Sequence, residues 1–138
     1  MKNNIKDIDI LCVGEVLIDF IGHQKDVLIN DTRDYHRYLG GSPTNVAMNA
    51  SRLGLNSKLV ATIGDDGFGE YITKRLNEVG VQTDCIGLNN LKPTSVIFVS
   101  RSKGTPDFIA FREADYHILE NQISMELLTR TNIFHTTC

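Results

Sequence analysis

The residues best suited to chemistry lie in the run Gly40-Gly41-Ser42-Pro43-Thr44-Asn45. Two glycines let a backbone approach a ligand closely and enter a helix with unusual dihedral angles. Ser42 is suited to cap that helix and Pro43 to begin it, so Asn45 would present its amide from the first turn. The pattern predicts a site for a neutral, hydroxyl-rich ligand at a helix N-terminus. A glycine hinge before a capped helix is the alternative explanation.

Two charged residues elsewhere could contact the same ligand. We place Asp19 after the first predicted strand, at its carboxyl end, where a carboxylate can accept charge-assisted hydrogen bonds from two hydroxyls. The alternative for Asp19 is an exposed acid beside a turn. Arg112 follows the apolar run 108–111 and could bind a carboxylate or phosphate bidentately, or it could be an exposed charge on a sheet edge.

Other patterns that suggest a metal, phosphate or nucleotide site are incomplete. No Gly-Lys-Ser/Thr follows the Gly40-Gly41 pair, so it does not form a P-loop. The run Gly64-Asp65-Asp66-Gly67-Phe68-Gly69 lacks the ligand spacing of an EF-hand, and we interpret its carboxylates as a helix cap. The histidines show no metal-ligand spacing with one another or with the cysteines; they are His23, His36, His117 and His135. No metal site is therefore predicted.

The composition is typical of a soluble globular domain. The 138 residues are 41% hydrophobic and 22% charged, with a net charge of -3, and a single core is expected. The absence of a dense Lys/Arg cluster in this sequence argues against nucleic-acid or membrane-surface binding. Its apolar runs are too short to span a bilayer, and residues 1–6 lack the apolar core of a signal peptide. Three widely spaced cysteines, Cys12, Cys85 and Cys138, favour a reducing cytoplasm.

Strands and helices alternate along most of the chain. Strands are predicted at 8–13, 17–22, 31–39, 58–63 and 132–137, helices at 43–53, before Gly80 and at 123–128, and a hairpin at 94–100 and 107–112. In the first helix Val46, Ala50 and Leu53 share one face. This alternation predicts an α/β fold with a parallel sheet and crossover helices.

The motifs occur in a characteristic order: Gly14-Glu15, Asp19-Phe20, Gly40 to Ala47, Leu53-Gly54, Gly64 to Gly69 and Gly80-Val81. In this order they resemble the amino-terminal half of the PfkB (ribokinase-like) carbohydrate kinases, over essentially all of residues 1–138. The fructokinase and 2-keto-3-deoxygluconate kinase branch is the most similar. The resemblance implies one ribokinase-like α/β domain, a parallel sheet flanked by helices, with a small β lid built by residues of about 18–39 and 94–113.

The resemblance also implies a site and a reaction. Asp19, Gly40, Gly41 and Asn45 match family positions that bind sugar hydroxyls, and Arg112 matches a lid position that contacts substrate in some members. Members of the family are phosphotransferases that move the γ-phosphoryl group of ATP to an alcohol group of the sugar, with Mg²⁺ present. The lid, with its apolar faces, would suit pairing with a second copy, and we expect a homodimer through it.

One family signature is absent from this sequence. This signature is a Gly-Ala-Gly-Asp run that follows an Asp-Thr pair in family members. Its Asp is the catalytic base there, and its glycines open a helix that stabilises the developing phosphate charge. Most of the nucleotide site of family members lies in the same, carboxyl-terminal half. The resemblance therefore implies no catalytic residue in this chain. We expect an amino-terminal portion of the fold that ends after its last strand, at Cys138, and that is inactive alone.

The leading interpretation is the sugar-binding half of an ATP-dependent, fructokinase-like carbohydrate kinase. A 2-keto-3-deoxygluconate kinase, which would need Arg112 for the substrate carboxylate, and a nucleoside kinase of the same fold remain alternatives. A non-catalytic remnant that binds sugar or dimerises is a further alternative, from a different class of protein.

Overall fold

The computed structural model describes residues 5–137. Met1–Asn4 and Cys138 lie outside it, so the predicted domain ends and the third cysteine are not described. Within residues 5–137 the chain forms eight strands and three α-helices: β1 (Ile8–Val13), β2 (Leu17–Gly22), β3 (Tyr35–Gly40), α1 (Ser42–Arg52), β4 (Ser57–Gly64), α2 (Gly67–Val79), β5 (Ile86–Asn89), β6 (Val96–Val99), β7 (Phe108–Phe111), α3 (Met125–Thr129) and β8 (Thr131–Thr136). No helix in this range is long and apolar enough to cross a membrane.

The larger layer is a parallel sheet with strand order β5-β4-β1-β8. Its central strand β4 is buried along its whole length, as expected for a parallel strand covered on both faces. Alternate side chains of β4 enter two different cores. Leu59 and Ala61 pack with α1 and α2 on one face, and Val60 packs with Leu127 of α3 on the other. The predicted α/β fold is confirmed.

The smaller layer is a second sheet with strand order β3-β2-β6-β7. Its outer pairs are antiparallel, and β2 pairs with β6 in parallel. The four strands come from the segments 18–39 and 94–113 and the residues beside them. Phe20 joins this sheet to the rest of the protein, because its ring stacks on Phe98 at 5.0 Å between centroids and meets the edge of Phe68 of α2 at 5.7 Å. Asp19, the preceding residue, points to the opposite face of the strand.

Two local predictions are wrong, and one strand was missed. The predicted strand 31–39 begins only at Tyr35. Leu53 does not belong to the buried face of α1, since it is 82% exposed while Ala47 and Met48 are buried. The strand Ile86–Asn89 was not predicted because its sequence, Ile-Gly-Leu-Asn, has only two apolar residues. Backbone hydrogen bonding to β4 makes it a strand.

Candidate functional site

The beginning of α1 is organised by a residue from a distant loop. The prediction that Ser42 caps this helix is wrong: Gly41 occupies the cap position and Ser42 is the first helical residue. A glycine has no side chain to accept hydrogen bonds from the first turn. Glu15, between β1 and β2, takes the place of the missing cap side chain, because its Oε1 atom accepts a hydrogen bond from the backbone N–H of Ser42 at 2.8 Å. The carbonyl oxygen of Glu15 accepts a second hydrogen bond, from Thr44 Oγ1, at 2.8 Å.

Both glycines of the Gly40-Gly41 pair are required by close contacts. Gly41 has φ +108°, and a Cβ atom there would overlap the carbonyl oxygen of Glu15 and lie 3.0 Å from its carbon. A Cβ atom on Gly40 would overlap a carboxylate oxygen of Asp19 and lie 2.6 Å from its Cγ atom. Gly41 therefore lets the chain pass the β1–β2 loop, and Gly40 leaves room for the Asp19 side chain.

Asp19 lies within a strand and not beyond the end of one. It follows the first strand, as predicted, but the chain turns at residues 14–16, so Asp19 lies inside β2, which matches the predicted strand 17–22, and not at the end of β1. There it pairs with Tyr38 on one side and Ile97 on the other. Partial burial raises the pKa of the Asp19 carboxyl above its ordinary value. A partly desolvated carboxylate of this kind is a strong hydrogen-bond acceptor.

A cleft of about 500 Å³ separates the second sheet from α1. We call it the Asp19 cleft, and the residues that line it are Glu15, Leu17, Asp19, Gly41, Ser42, Asn45, Val46, Asn49, Ile97 and Arg112. Four predicted site residues thus share one cleft, and the fifth, Gly40, contacts Asp19. The sequence analysis missed Asn49, although its spacing of four residues from Asn45 places both amides on one helix face. It also assigned no role to Glu15.

The structure contradicts one of the two sequence-based alternatives for Arg112. It lies directly after β7 but is half-buried, so it is not an exposed charge on a sheet edge. Its Nε atom donates to Asp115 Oδ2 at 2.6 Å, and its Nη2 atom donates to the same oxygen. The guanidinium also lies 4.7 Å from the ring centroid of Tyr116. The hydrogen bonds from this guanidinium to Asp115 raise the pKa of Arg112.

The Gly64–Gly69 run is a helix cap, as predicted. Asp66 Oδ1 accepts hydrogen bonds from the N–H groups of Phe68 at 3.0 Å and Gly69 at 2.9 Å. The same carboxylate accepts from the Thr94 N–H at 2.7 Å and from Thr94 Oγ1 at 2.8 Å. Burial alone would raise the pKa of Asp66, but these hydrogen bonds lower it overall. Asp66 therefore fastens the start of α2 to the segment that leads into β6.

Comparison with known proteins gives a consistent result. The family model described as pfkB family carbohydrate kinase matches residues 7–135. The ATP-dependent 6-phosphofructokinase of Thermoanaerobacterium thermosaccharolyticum is 38% identical over 131 residues, which are 94% of this chain and 40% of that protein.

Two solved structures are also similar. A fructokinase from Halothermothrix orenii has a TM-score of 0.87 at 34% identity, over 94% of this chain and 46% of that one. A fructokinase with bound ATP from Xylella fastidiosa has a TM-score of 0.83 at 32% identity, over 96% and 42%. The chain thus spans less than half the length of the proteins it matches.

Proposed function

The chain has a ribokinase-like α/β fold and belongs to the pfkB family of carbohydrate kinases, and from this premise we propose that the Asp19 cleft binds the sugar that such a kinase phosphorylates. The reaction would be ATP-dependent phosphorylation of a sugar hydroxyl, as in a fructokinase. The observation that carries the proposal is that Asp19 of β2, Gly41 at the start of α1 and Asn45 in its first turn all line one cleft.

Each of these residues has a role that suits a sugar. The Asp19 carboxylate would accept hydrogen bonds from two hydroxyl groups, and burial strengthens such bonds. The Asn45 amide, on the first turn of α1, can donate to one hydroxyl and accept from another. Gly41 has no side chain, so a sugar ring can approach the backbone where Glu15 holds the helix start. The apolar side chains of Leu17 and Ile97 would contact the carbon face of the ring.

The described residues do not by themselves fit the ATP and Mg²⁺ that the family uses. Between residues 5 and 137 no three His, Cys, Asp or Glu side chains are grouped so that they could hold a metal ion. The charges on the Asp19 cleft are Glu15, Asp19 and Arg112, a mainly acidic set that does not suit a triphosphate. When bound, ATP would supply the phosphoryl group, and the role proposed for this chain is to bind and orient its acceptor.

We propose that residues 1–138 form an amino-terminal portion of one domain, with lid segments at about 18–39 and 94–113. The second sheet would close over the Asp19 cleft and exclude water from the sugar. As a sugar-binding half without a catalytic base, the isolated 138 residues would transfer no phosphate. A coupled kinase assay with ATP, Mg²⁺ and a sugar panel tests this directly: sugar-dependent ATP turnover by the isolated chain would contradict it.

The second sheet also offers a surface for a second copy of the chain. One of its two edge strands, β7, exposes Phe108, Ile109 and Phe111, and Tyr38 of β3, the other edge strand, is exposed as well. Exposed apolar patches of this kind mark interaction sites on soluble proteins. We therefore propose a homodimer that forms through the second sheet.

Calorimetric titration of fructose into the native protein tests the sugar site. Asp19→Asn keeps the shape of the side chain and removes its charge, and it is expected to weaken fructose binding by about 10-fold or more. Asp65→Asn is the matched control, since Asp65 is exposed and lies outside the Asp19 cleft, and it should leave binding unchanged. Equal affinities of the wild type and Asp19→Asn would overturn the proposal.

A further inference from the structure

Behind the Asp19 cleft lies a buried carboxylate that the proposed function does not use. The side chain of Asp115 is 0% exposed. Its Oδ1 atom accepts a hydrogen bond from Ser95 Oγ, which is also buried, and its Oδ2 atom accepts two from Arg112. An ionised carboxylate without water is stable only when it is paired and hydrogen-bonded in this way. Arg112 is therefore the partner that permits Asp115 to be charged.

Ser95 in turn ties this pair to the backbone. Its hydroxyl oxygen accepts a hydrogen bond from the N–H of Glu113 at 2.8 Å. The N–H of Ala114 donates to the Pro93 carbonyl oxygen at 3.1 Å. The segment after β7 is thus held against the segment before β6, and the carboxylate that receives Arg112 has a fixed position.

Arg112 is the member of this network that reaches the cleft. Its side chain is 30% exposed and lines the Asp19 cleft, whereas Asp115 does not line it. Two bonds to Asp115 and the ring of Tyr116 constrain the guanidinium plane. A guanidinium has five N–H groups and Asp115 is bonded through Nε and Nη2, so other N–H groups remain for a ligand in the cleft that Arg112 lines. Arg112 is consequently a preoriented hydrogen-bond donor, and the carboxylate of Asp115, which does not line the cleft, balances most of its charge.

The remaining charges of the cleft are negative. Of the residues from 5 to 137 that line it, Glu15 and Asp19 are acidic and Arg112 alone is cationic. Together with Asp115, which contacts Arg112 directly, the cleft and its rear wall contain three carboxylates and one guanidinium. A carboxylate or phosphate on the ligand would share the cleft with these like charges, and their repulsion would weaken its binding. A hydroxyl group would avoid this repulsion, because it is neutral and can both donate to the carboxylates and accept from Arg112.

We infer that Asp115 is a positioning and specificity-determining residue: it orients Arg112 as a hydrogen-bond donor and balances its charge, so that the cleft selects a neutral sugar over a sugar acid or sugar phosphate. This inference rests on the proposed sugar site and names its substrate class. It predicts that the cleft binds fructose, which is neutral, more tightly than fructose 6-phosphate or 2-keto-3-deoxygluconate, which are anionic.

The test compares fructose with fructose 6-phosphate, which share a sugar and differ in charge. The wild-type native protein should bind fructose at least about 10-fold more tightly than the phosphate. Asp115→Asn leaves the charge of Arg112 unbalanced, so it should weaken fructose binding and shift the affinity ratio toward the phosphate by about 10-fold. A residue that only stabilised the fold would weaken both ligands equally. Glu113→Gln is the matched control, since Glu113 pairs with Lys92 outside the cleft, and it should leave the ratio unchanged.

A second measurement needs no sugar. In the wild type, the Arg112 Nε–H group should give a protected, slowly exchanging NMR signal, assigned by its loss in Arg112→Lys, and Asp115→Asn should remove that protection. An unaltered signal in Asp115→Asn would overturn the positioning role. An unchanged affinity ratio, or a wild type that prefers the phosphate, would overturn the role in specificity. A wild type that binds neither sugar would refute the proposed function and the specificity with it, while the NMR signal still decides the positioning role.

Discussion

Replacing Gly41 by alanine tests whether close backbone contact builds the start of α1. At this position φ is +108° and ψ is 127°, a region that residues with a side chain rarely adopt. The new methyl group would also overlap the carbonyl oxygen of Glu15, which is backbone and cannot rotate away. The same oxygen accepts the Thr44 hydrogen bond that fastens α1 to the β1–β2 loop.

The magnitude follows from these three contributions. The backbone conformation costs about 1–3 kcal/mol for a residue with a Cβ atom. Loss of the hydrogen bond between Thr44 and Glu15 costs about 1 kcal/mol. The backbone shift that relieves the overlap costs about another 1–3 kcal/mol. Gly41→Ala should therefore lower the free energy of unfolding by about 3–7 kcal/mol, a large part of the stability of a typical domain.

Two other glycines separate these contributions. Gly54 has φ +89° and a Cβ atom there would meet nothing within 4 Å, so Gly54→Ala should cost only the backbone strain, about 1–2 kcal/mol. Gly67 begins α2 with open space around it, and Gly67→Ala should be neutral or stabilise by up to about 1 kcal/mol. Urea unfolding of the native protein, followed by circular dichroism, measures all three variants. If Gly41→Ala destabilises no more than Gly54→Ala, the contact with Glu15 has no structural importance and the reasoning fails.

Three further predictions concern the cap, the site and the surface. Hydrogen bonds lower the folded-state pKa of Asp66, so its stabilising effect is complete above the unfolded pKa of about 4 and is lost as the pH falls through the folded pKa. In urea unfolding across acidic pH, Asp66→Asn should therefore flatten the dependence of the free energy of unfolding on pH. An unchanged pH profile in this variant would contradict the prediction. Asn45→Ala should weaken fructose binding, measured by titration, by about 10-fold. It should change the free energy of unfolding, measured by denaturation, by less than about 0.5 kcal/mol. Retained affinity would exclude a direct contact between Asn45 and the sugar. Phe108 is 68% exposed on β7, and Phe108→Glu should convert a dimer to a monomer in analytical ultracentrifugation. The control Leu91→Glu, in a loop outside the second sheet, should leave the dimer intact. A dimer that survives Phe108→Glu does not form through β7.

Local sequence signals predicted the elements that depend on local physics. The α2 helix is an example, since Asp66 caps it, Ile72 and Leu76 recur on its buried face, and Gly80 ends it. The hairpin of β6 and β7 was predicted from two short β-rich runs with a turn between them. In contrast, β5 has too few apolar residues to be recognised, because its hydrogen bonds to β4 decide its conformation.

The sequence by itself determined which residue types could form the site: a glycine pair, an amide on the following helix, and acids and an arginine elsewhere in the chain. The tertiary structure alone decided how they meet. Glu15 replaces the missing cap of α1 from 27 residues away, and Asp115, which pairs with Arg112, is buried against Ser95, 20 residues away in the chain. Contacts of this kind have no local signature, since they arise when packing removes water from groups that must then find partners.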